Sequence, residues 1–117
     1  RRVSAIAPDP SQPNAMLWNP GGASVEHALD ALGVGRGPIA IIGGTAVFDL
    51  FLTLYDVFHL TRAERAEIPG GRPVFSAVDA GVTPAEVLIR SGLRPGAPRD
   101  LDAAAGITLT AFQRVPR

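Results

Sequence analysis

The run Pro38-Ile39-Ala40-Ile41-Ile42-Gly43-Gly44-Thr45 decides how the rest of this chain is interpreted. Its first five residues are apolar without alternation, which is typical of a strand buried on both faces of a sheet. The two glycines end that strand, and residues 45–53 place apolar side chains at helical spacing. A strand, a glycine turn and a helix in this order form the first half of a βαβ unit.

Two later segments complete the predicted sheet. Residues 56–61 (DVFHLT) alternate and predict a second strand, which a right-handed crossover places parallel to 38–42. Residues 107–115 (ITLTAFQRV) also alternate and predict an antiparallel closing strand at the edge of the sheet. We therefore expect an α/β fold in one domain over residues 1–117: a mostly parallel β-sheet, flanked by helices, with an antiparallel closing strand.

Local signals predict three further elements. The short apolar run at residues 15–18 predicts a strand. Ser24 and Gly33 are the expected N-cap and stop of a helix between them. Thr83-Pro84-Ala85-Glu86 has the form of a capping box and predicts the start of another helix. Residues 1–13, with three prolines, and residues 92–106 are expected to be irregular.

The composition argues against several classes of function. Eleven arginines and no lysine balance eleven acidic residues, so we expect no nucleic-acid or membrane partner. The chain has no cysteine and two histidines, which predicts no disulfide, thiolate or metal chemistry. No stretch reaches the roughly 18 apolar residues of a membrane span, and the N-terminal stretch is not a signal peptide. We expect a cytoplasmic protein.

The Gly43-Gly44 turn is the candidate site. Open α/β sheets bind ligands at the carboxyl ends of their strands, and backbone N–H groups at the start of a helix attract phosphate. Glycine has no Cβ, so the backbone can approach a pyrophosphate closely. The motif is neither G-x-G-x-x-G nor a P-loop, and a tight turn without a ligand is the alternative. No nucleophile–base or carboxylate pair stands out, so no catalytic residue is predicted.

A Gly-Gly pair in residues 41–48 (IIGGTAVF) is followed by a Leu-Thr pair in residues 55–62 (YDVFHLTR) and then by residues 73–75 (PVF). In this order and spacing, residues 39–75 resemble the latter part of dihydrofolate reductase. In that family a strand ends in Ile-Gly-Gly, a helix with an aromatic residue in its first turns follows, and a strand ending in Leu-Thr comes next. The segment 107–115 agrees with the final strand of the family in position and pattern only.

The resemblance implies an NADPH-dependent oxidoreductase of one-carbon metabolism, which reduces 7,8-dihydrofolate to tetrahydrofolate. It implies a cis peptide between the two glycines, which face the pyrophosphate. Ile42 would lie beside the nicotinamide and the pterin, and Thr61 would help to hold the pterin through the catalytic carboxylate. The implied cofactor-binding residues are Gly43, Gly44, Thr45, Ala46, Val47, Phe48, Arg1 and Arg2, the two arginines holding the 2′-phosphate, with Trp18 or Asn19 near the adenosine.

The same comparison implies that the chain is the C-terminal portion of such a domain. The first part of a family member supplies the first strand, the loop over the nicotinamide and the helix with the acidic residue that assists protonation; nothing in 1–117 replaces them. The expected partners are dihydrofolate and either the missing N-terminal portion or a second copy, since an incomplete sheet exposes edge strands. Two alternatives stay open: a pyrimidine reductase of the riboflavin-pathway type, and a non-catalytic nucleotide-binding or self-associating fragment.

Overall fold

The computed structural model describes residues 3–34, 37–66 and 69–116. The chain divides into two compact units, Arg1–Ala40 and Ile41–Arg117. The first unit contains β1 (Ile6–Pro8), β2 (Met16–Trp18) and α1 (Val25–Leu32). The second contains α2 (Thr45–Leu50), β3 (Val57–Ala63), a 3₁₀ helix (Ser76–Ala80), α3 (Pro84–Arg90), β4 (Leu93–Pro95), β5 (Arg99–Asp102) and β6 (Ile107–Arg114).

The first unit is a small hairpin followed by a helix. β1 and β2 pair antiparallel, with Ile6 opposite Trp18, so residues 6–8 form a strand where the prolines predicted irregular chain. The predicted limits of α1 are confirmed. Ser24 Oγ accepts a hydrogen bond from the His27 N–H at 3.1 Å, and Gly33 ends the helix with a φ of 75°, a conformation that favours glycine.

The sheet of the second unit is built around β6. β3 and β4 lie on either side of β6, and β5 pairs with β6 as well. The β3–β6 ladder is the longest and runs from the pair Val57–Gln113 to the pair Ala63–Ile107. Every pairing in both sheets is antiparallel. The alternating pattern of 107–115 therefore predicted a real strand, but this strand is central rather than at the edge.

The predicted mostly parallel α/β sheet is wrong. Residues 38–42, expected to be its buried central strand, belong to no helix or strand. Ile41 is half-buried, whereas Ile39 and Ile42 are exposed, at 54% and 89%. A strand exists only where a neighbour completes its backbone hydrogen bonds. Within the described ranges β3 pairs with β6 alone, so residues 38–42 have no neighbour and no parallel pair forms.

The core of the second unit lies between its helices and one face of its sheet. The Phe58 ring meets the Tyr55 and Phe48 rings edge to face, at centroid distances of 5.1 and 5.7 Å. Phe75 and Leu88 are fully buried. The Thr83 hydroxyl caps α3 by accepting from the Glu86 N–H at 3.1 Å, which confirms the predicted start of that helix.

Arg114, at the end of β6, joins three parts of the second unit. Its guanidinium donates hydrogen bonds to the backbone carbonyls of Tyr55 at 2.6 Å, Ser91 at 2.8 Å and Leu52 at 3.0 Å. Leu52 and Tyr55 lie just after α2, and Ser91 is the C-cap of α3. One cation therefore satisfies carbonyl groups at the ends of two helices, where unpaired carbonyls accumulate.

No helix among the described residues has the length and apolar character that crossing a membrane requires.

Candidate functional site

The glycine pair lies in the irregular segment that leads into α2. Gly44 is the N-cap residue, in extended conformation, and it makes no side-chain cap. The Thr45 hydroxyl donates a hydrogen bond to the Pro73 carbonyl. This bond ties the first turn of α2 to the segment before the 3₁₀ helix, so two stretches of chain that are distant in sequence form one site.

The two glycines have different structural roles. A Cβ added to Gly43 would lie 2.5 Å from the Val47 Cβ, so a side chain at this position would displace Val47. A Cβ added to Gly44 would meet no protein atom within 4 Å. Gly43 is therefore required for the packing of α2 on the loop, whereas Gly44 leaves its backbone open to a ligand.

An open cleft of about 530 Å³ begins at Gly44, a size within the usual range of small-molecule sites. One side is formed by four residues that the resemblance assigns to the cofactor: Gly44, Thr45, Ala46 and Val47. The other side is formed by Arg72, Pro73, Ser76 and Asp79. We call this space the glycine cleft.

The glycine cleft carries charges of both signs. Arg72 is exposed and, within the described part of the chain, takes part in no ion pair. Asp49 accepts hydrogen bonds from the Ser76 N–H, at 3.2 Å to Oδ1 and 3.3 Å to Oδ2, and so caps the 3₁₀ helix. Asp79 is also exposed at the cleft. A ligand with an anionic part and hydroxyl groups matches this set, because Arg72 pairs with the anion and a carboxylate accepts from hydroxyls.

One expectation for this loop is wrong, and one residue assigned to the cofactor lies away from the glycine cleft. The described residues contain no cis peptide bond, so the Gly43–Gly44 bond is trans; no surrounding group encloses Gly44 to offset the roughly 3–4 kcal/mol that a cis bond costs. Phe48 does not line the glycine cleft, because its ring packs in the core against Phe58 and Phe75.

Neither Ile42 nor Thr61 is among the residues that line the glycine cleft. Ile42 is exposed and lines no described cavity. Thr61 lies on β3 and lines a second cavity of about 540 Å³. Trp18 and Asn19 belong to the first unit, where the Trp18 Nε1–H donates to the Ala23 carbonyl at 2.9 Å. Arg1 and Arg2 lie outside the described residues.

Sequence reasoning missed Arg72, Ser76 and Asp79. Ser76 and Asp79 lie on a short 3₁₀ helix and Arg72 precedes it, and such helices carry no long periodic pattern that a sequence reveals. A usable signal did exist in the Pro73-Val74-Phe75 segment, which the resemblance includes but to which it assigned no ligand.

Comparison with protein-family models, with curated proteins and with solved structures finds no significant match to this chain.

Proposed function

We propose that this chain binds NADPH in the glycine cleft and contributes to a reductase that acts on dihydrofolate. The observation that carries the proposal is the open backbone at Gly44. The loop resembles the Ile-Gly-Gly segment of dihydrofolate reductase, and Gly44 begins a cleft that three further residues of that segment, Thr45, Ala46 and Val47, also line.

The charges of the cleft support one orientation of the cofactor. The pyrophosphate lies against Gly44 and Arg72, where a cation balances its charge and no Cβ intervenes. A ribose lies nearer Asp79, since a carboxylate accepts hydrogen bonds from ribose hydroxyls. The chain's share of the reaction is to bind and orient; the cofactor supplies the hydride when bound.

Titration with NADPH, followed by the fluorescence of the reduced nicotinamide, tests the proposal. The unmodified chain is expected to bind saturably. Gly44→Ala is expected to weaken binding about tenfold or more, because the methyl group enters the pyrophosphate position while touching no protein atom. Ser24→Ala, a helix cap in the other unit, is the matched control and should bind as the unmodified chain does.

Replacing either charged group of the cleft should weaken NADPH binding. Arg72→Gln removes the cation that pairs with the pyrophosphate, and Asp79→Asn removes the carboxylate that accepts hydrogen bonds from the ribose hydroxyls. Each effect should be a few-fold and should shrink as salt is added, because both groups are exposed. Absence of NADPH binding, or equal effects of Gly44→Ala and Ser24→Ala, would contradict the proposal. NADPH binding without turnover of added dihydrofolate would limit this chain to cofactor binding.

A further inference from the structure

β3 has an unpaired edge. One side of the strand pairs with β6, and no described strand pairs with the other side. The hydrogen bonds at the two ends of the ladder show which residues face that edge: Arg114 N–H donates to the Asp56 carbonyl at 2.9 Å, and Glu64 N–H donates to the Gly106 carbonyl at 3.2 Å. Hydrogen-bonded residues alternate along an antiparallel strand. The even-numbered residues therefore bond to β6, and the backbone groups facing the unpaired edge are those of Val57, His59, Thr61 and Ala63.

The second cavity follows this edge. It is lined by five consecutive residues of β3, 58–62. Successive side chains of a strand point to opposite faces, so a cavity confined to one face would contact only alternate residues. A cavity that contacts all five runs along the backbone edge. We call it the β3 groove; Val74 and residues 83–85 line it opposite the strand.

The shape of the β3 groove suits one extended segment of chain. The span from Phe58 to Arg62 is about 13 Å, from four steps of ~3.3 Å. A sheet edge from a second copy would bring its own Val74 and residues 83–85 into the same space, since each copy carries this opposite wall. A single added strand brings no such wall with it, so it occupies only the space between β3 and the opposite lining residues.

The lining also indicates the chemistry of the segment. Phe48, Phe58, Leu60 and Val74 give the groove an apolar lining. Its ionisable side chains are those of His59 and Arg62, and no carboxylate is among the described lining residues. An apolar segment that carries an acidic residue complements this surface, because Arg62 can pair with a carboxylate.

We propose that the β3 groove binds an extended, acidic segment of another polypeptide, which adds to the sheet as a strand beside β3. The N–H and C=O groups of His59 and Thr61 form the ladder with the added strand, and the apolar lining takes its alternate side chains. This proposal does not rest on the NADPH proposal. The β3 groove and the glycine cleft share no lining residue, so the two proposals can fail separately.

A synthetic peptide tests the groove directly. The probe is a blocked octapeptide of alternating valine and threonine with a glutamate near each end, added to the unmodified chain without NADPH. Amide hydrogen exchange is followed residue by residue by NMR. The amides of His59 and Thr61 should become protected, whereas those of Phe58 and Leu60 are already bonded to β6 and should change little.

Two matched variants separate backbone pairing from side-chain contact. His59→Pro removes an N–H that faces the unpaired edge, and proline is tolerated at such positions. His59→Ala removes the same imidazole but keeps the N–H. His59→Pro should weaken peptide binding about tenfold relative to His59→Ala. A peptide in which alternate amides are N-methylated should also lose binding. This test uses the unmodified protein, so it holds even where the proline variant does not fold.

The outcomes are distinct. Protection at His59 and Thr61, lost with the N-methylated peptide, supports the proposal. No protection at these two amides at millimolar peptide overturns it, as does equal binding by His59→Pro and His59→Ala. Protection that is present without peptide and grows with protein concentration, together with a dimer in sedimentation, would assign the edge to a second copy and also overturn it.

Discussion

Tyr55 shows how burial changes the chemistry of one residue. Its hydroxyl donates a hydrogen bond to the Phe48 carbonyl at 2.9 Å, and its ring packs against Phe58 in the core. Burial, with a smaller contribution from the negative charge of Asp49, raises the pKa of Tyr55 to about 12 from an ordinary value of 10.0. Both causes act against the phenolate.

This pKa predicts a loss of stability at alkaline pH. The folded state favours the neutral phenol, so the stabilisation is complete below pH 10, where the unfolded chain is also protonated, and is lost as pH rises towards 12. Tyr55 is the only tyrosine, and the chain has no lysine or cysteine. Ultraviolet absorption of tyrosinate therefore reports this one side chain, and should show a midpoint well above 10 in the folded protein.

Denaturant unfolding at increasing pH measures the consequence. The denaturant concentration at the unfolding midpoint should decrease as pH rises from 10 to 12 in the unmodified chain. Tyr55→Phe keeps the ring but has no proton to lose, so its midpoint should change less over the same range. A fall of the same size in both proteins would show that Tyr55 is not responsible.

Residue-level features were predictable from sequence where their cause is local. Ser24 and Thr83 are helix caps because each hydroxyl reaches an N–H three residues later. Arg72 was not predictable as a lining residue of the glycine cleft. It reaches the cleft because the Thr45 hydroxyl holds the Pro73 carbonyl, a contact between residues 28 positions apart.

At the scale of elements, the sequence predicted the strands whose residues alternate regularly, but it did not predict which strands lie beside them. Residues 57–63 and 107–114 form strands close to the predicted limits, because alternating apolar and polar residues indicate which face of a sheet each residue occupies. Residues 38–42 were predicted as a strand from apolar character alone. That character does not show whether a neighbouring strand exists, and the described chain supplies none.

The hairpin of the first unit depends on a close approach at Gly22. A Cβ at this position would lie 1.8 Å from the Ser4 carbonyl oxygen, whereas a Cβ at Gly21 would meet only Asn19 Oδ1 at 3.4 Å. Gly22→Ala should therefore force the backbone at residue 22 away from Ser4. The free energy of unfolding of the first unit should fall by more than the roughly 1–3 kcal/mol that overpacking usually costs.

The single tryptophan reports the change. Trp18 lies in β2, within the same unit as Gly22, so its fluorescence during urea unfolding should reveal the loss of stability. Gly21→Ala is the matched control and should unfold near the unmodified midpoint. Equal midpoints for the two variants would contradict the close approach at Gly22.

At the scale of the second unit, Arg114 links the end of β6 to the carboxyl ends of α2 and α3. Replacing it by methionine keeps much of its apolar stem but leaves the carbonyls of Leu52, Tyr55 and Ser91 without their donor. We expect a loss of about 3 kcal/mol, since hydrogen bonds to charged groups contribute about 1.5–3 kcal/mol each and some carbonyls regain water.

Thermal and denaturant unfolding followed by far-ultraviolet circular dichroism measures this loss. Arg99→Met is the matched control, because Arg99 lies exposed on β5, and its effect should stay within about 0.5 kcal/mol. Arg114→Lys should fall between the two, since one ammonium group cannot reach three separated carbonyls as a guanidinium does. A methionine variant as stable as the control would show that the three bonds contribute nothing.

The central position of β6 has a consequence for biosynthesis. β3, β4 and β5 all precede β6 in the chain and, in the described structure, each finds its sheet partner in β6. While the chain emerges from the ribosome, these three strands stay without a template until residues 107–114 follow them out. The nascent polypeptide therefore exposes Phe58 and its aromatic neighbours until residues 107–114 emerge, and this interval is when a chaperone would have the most to bind.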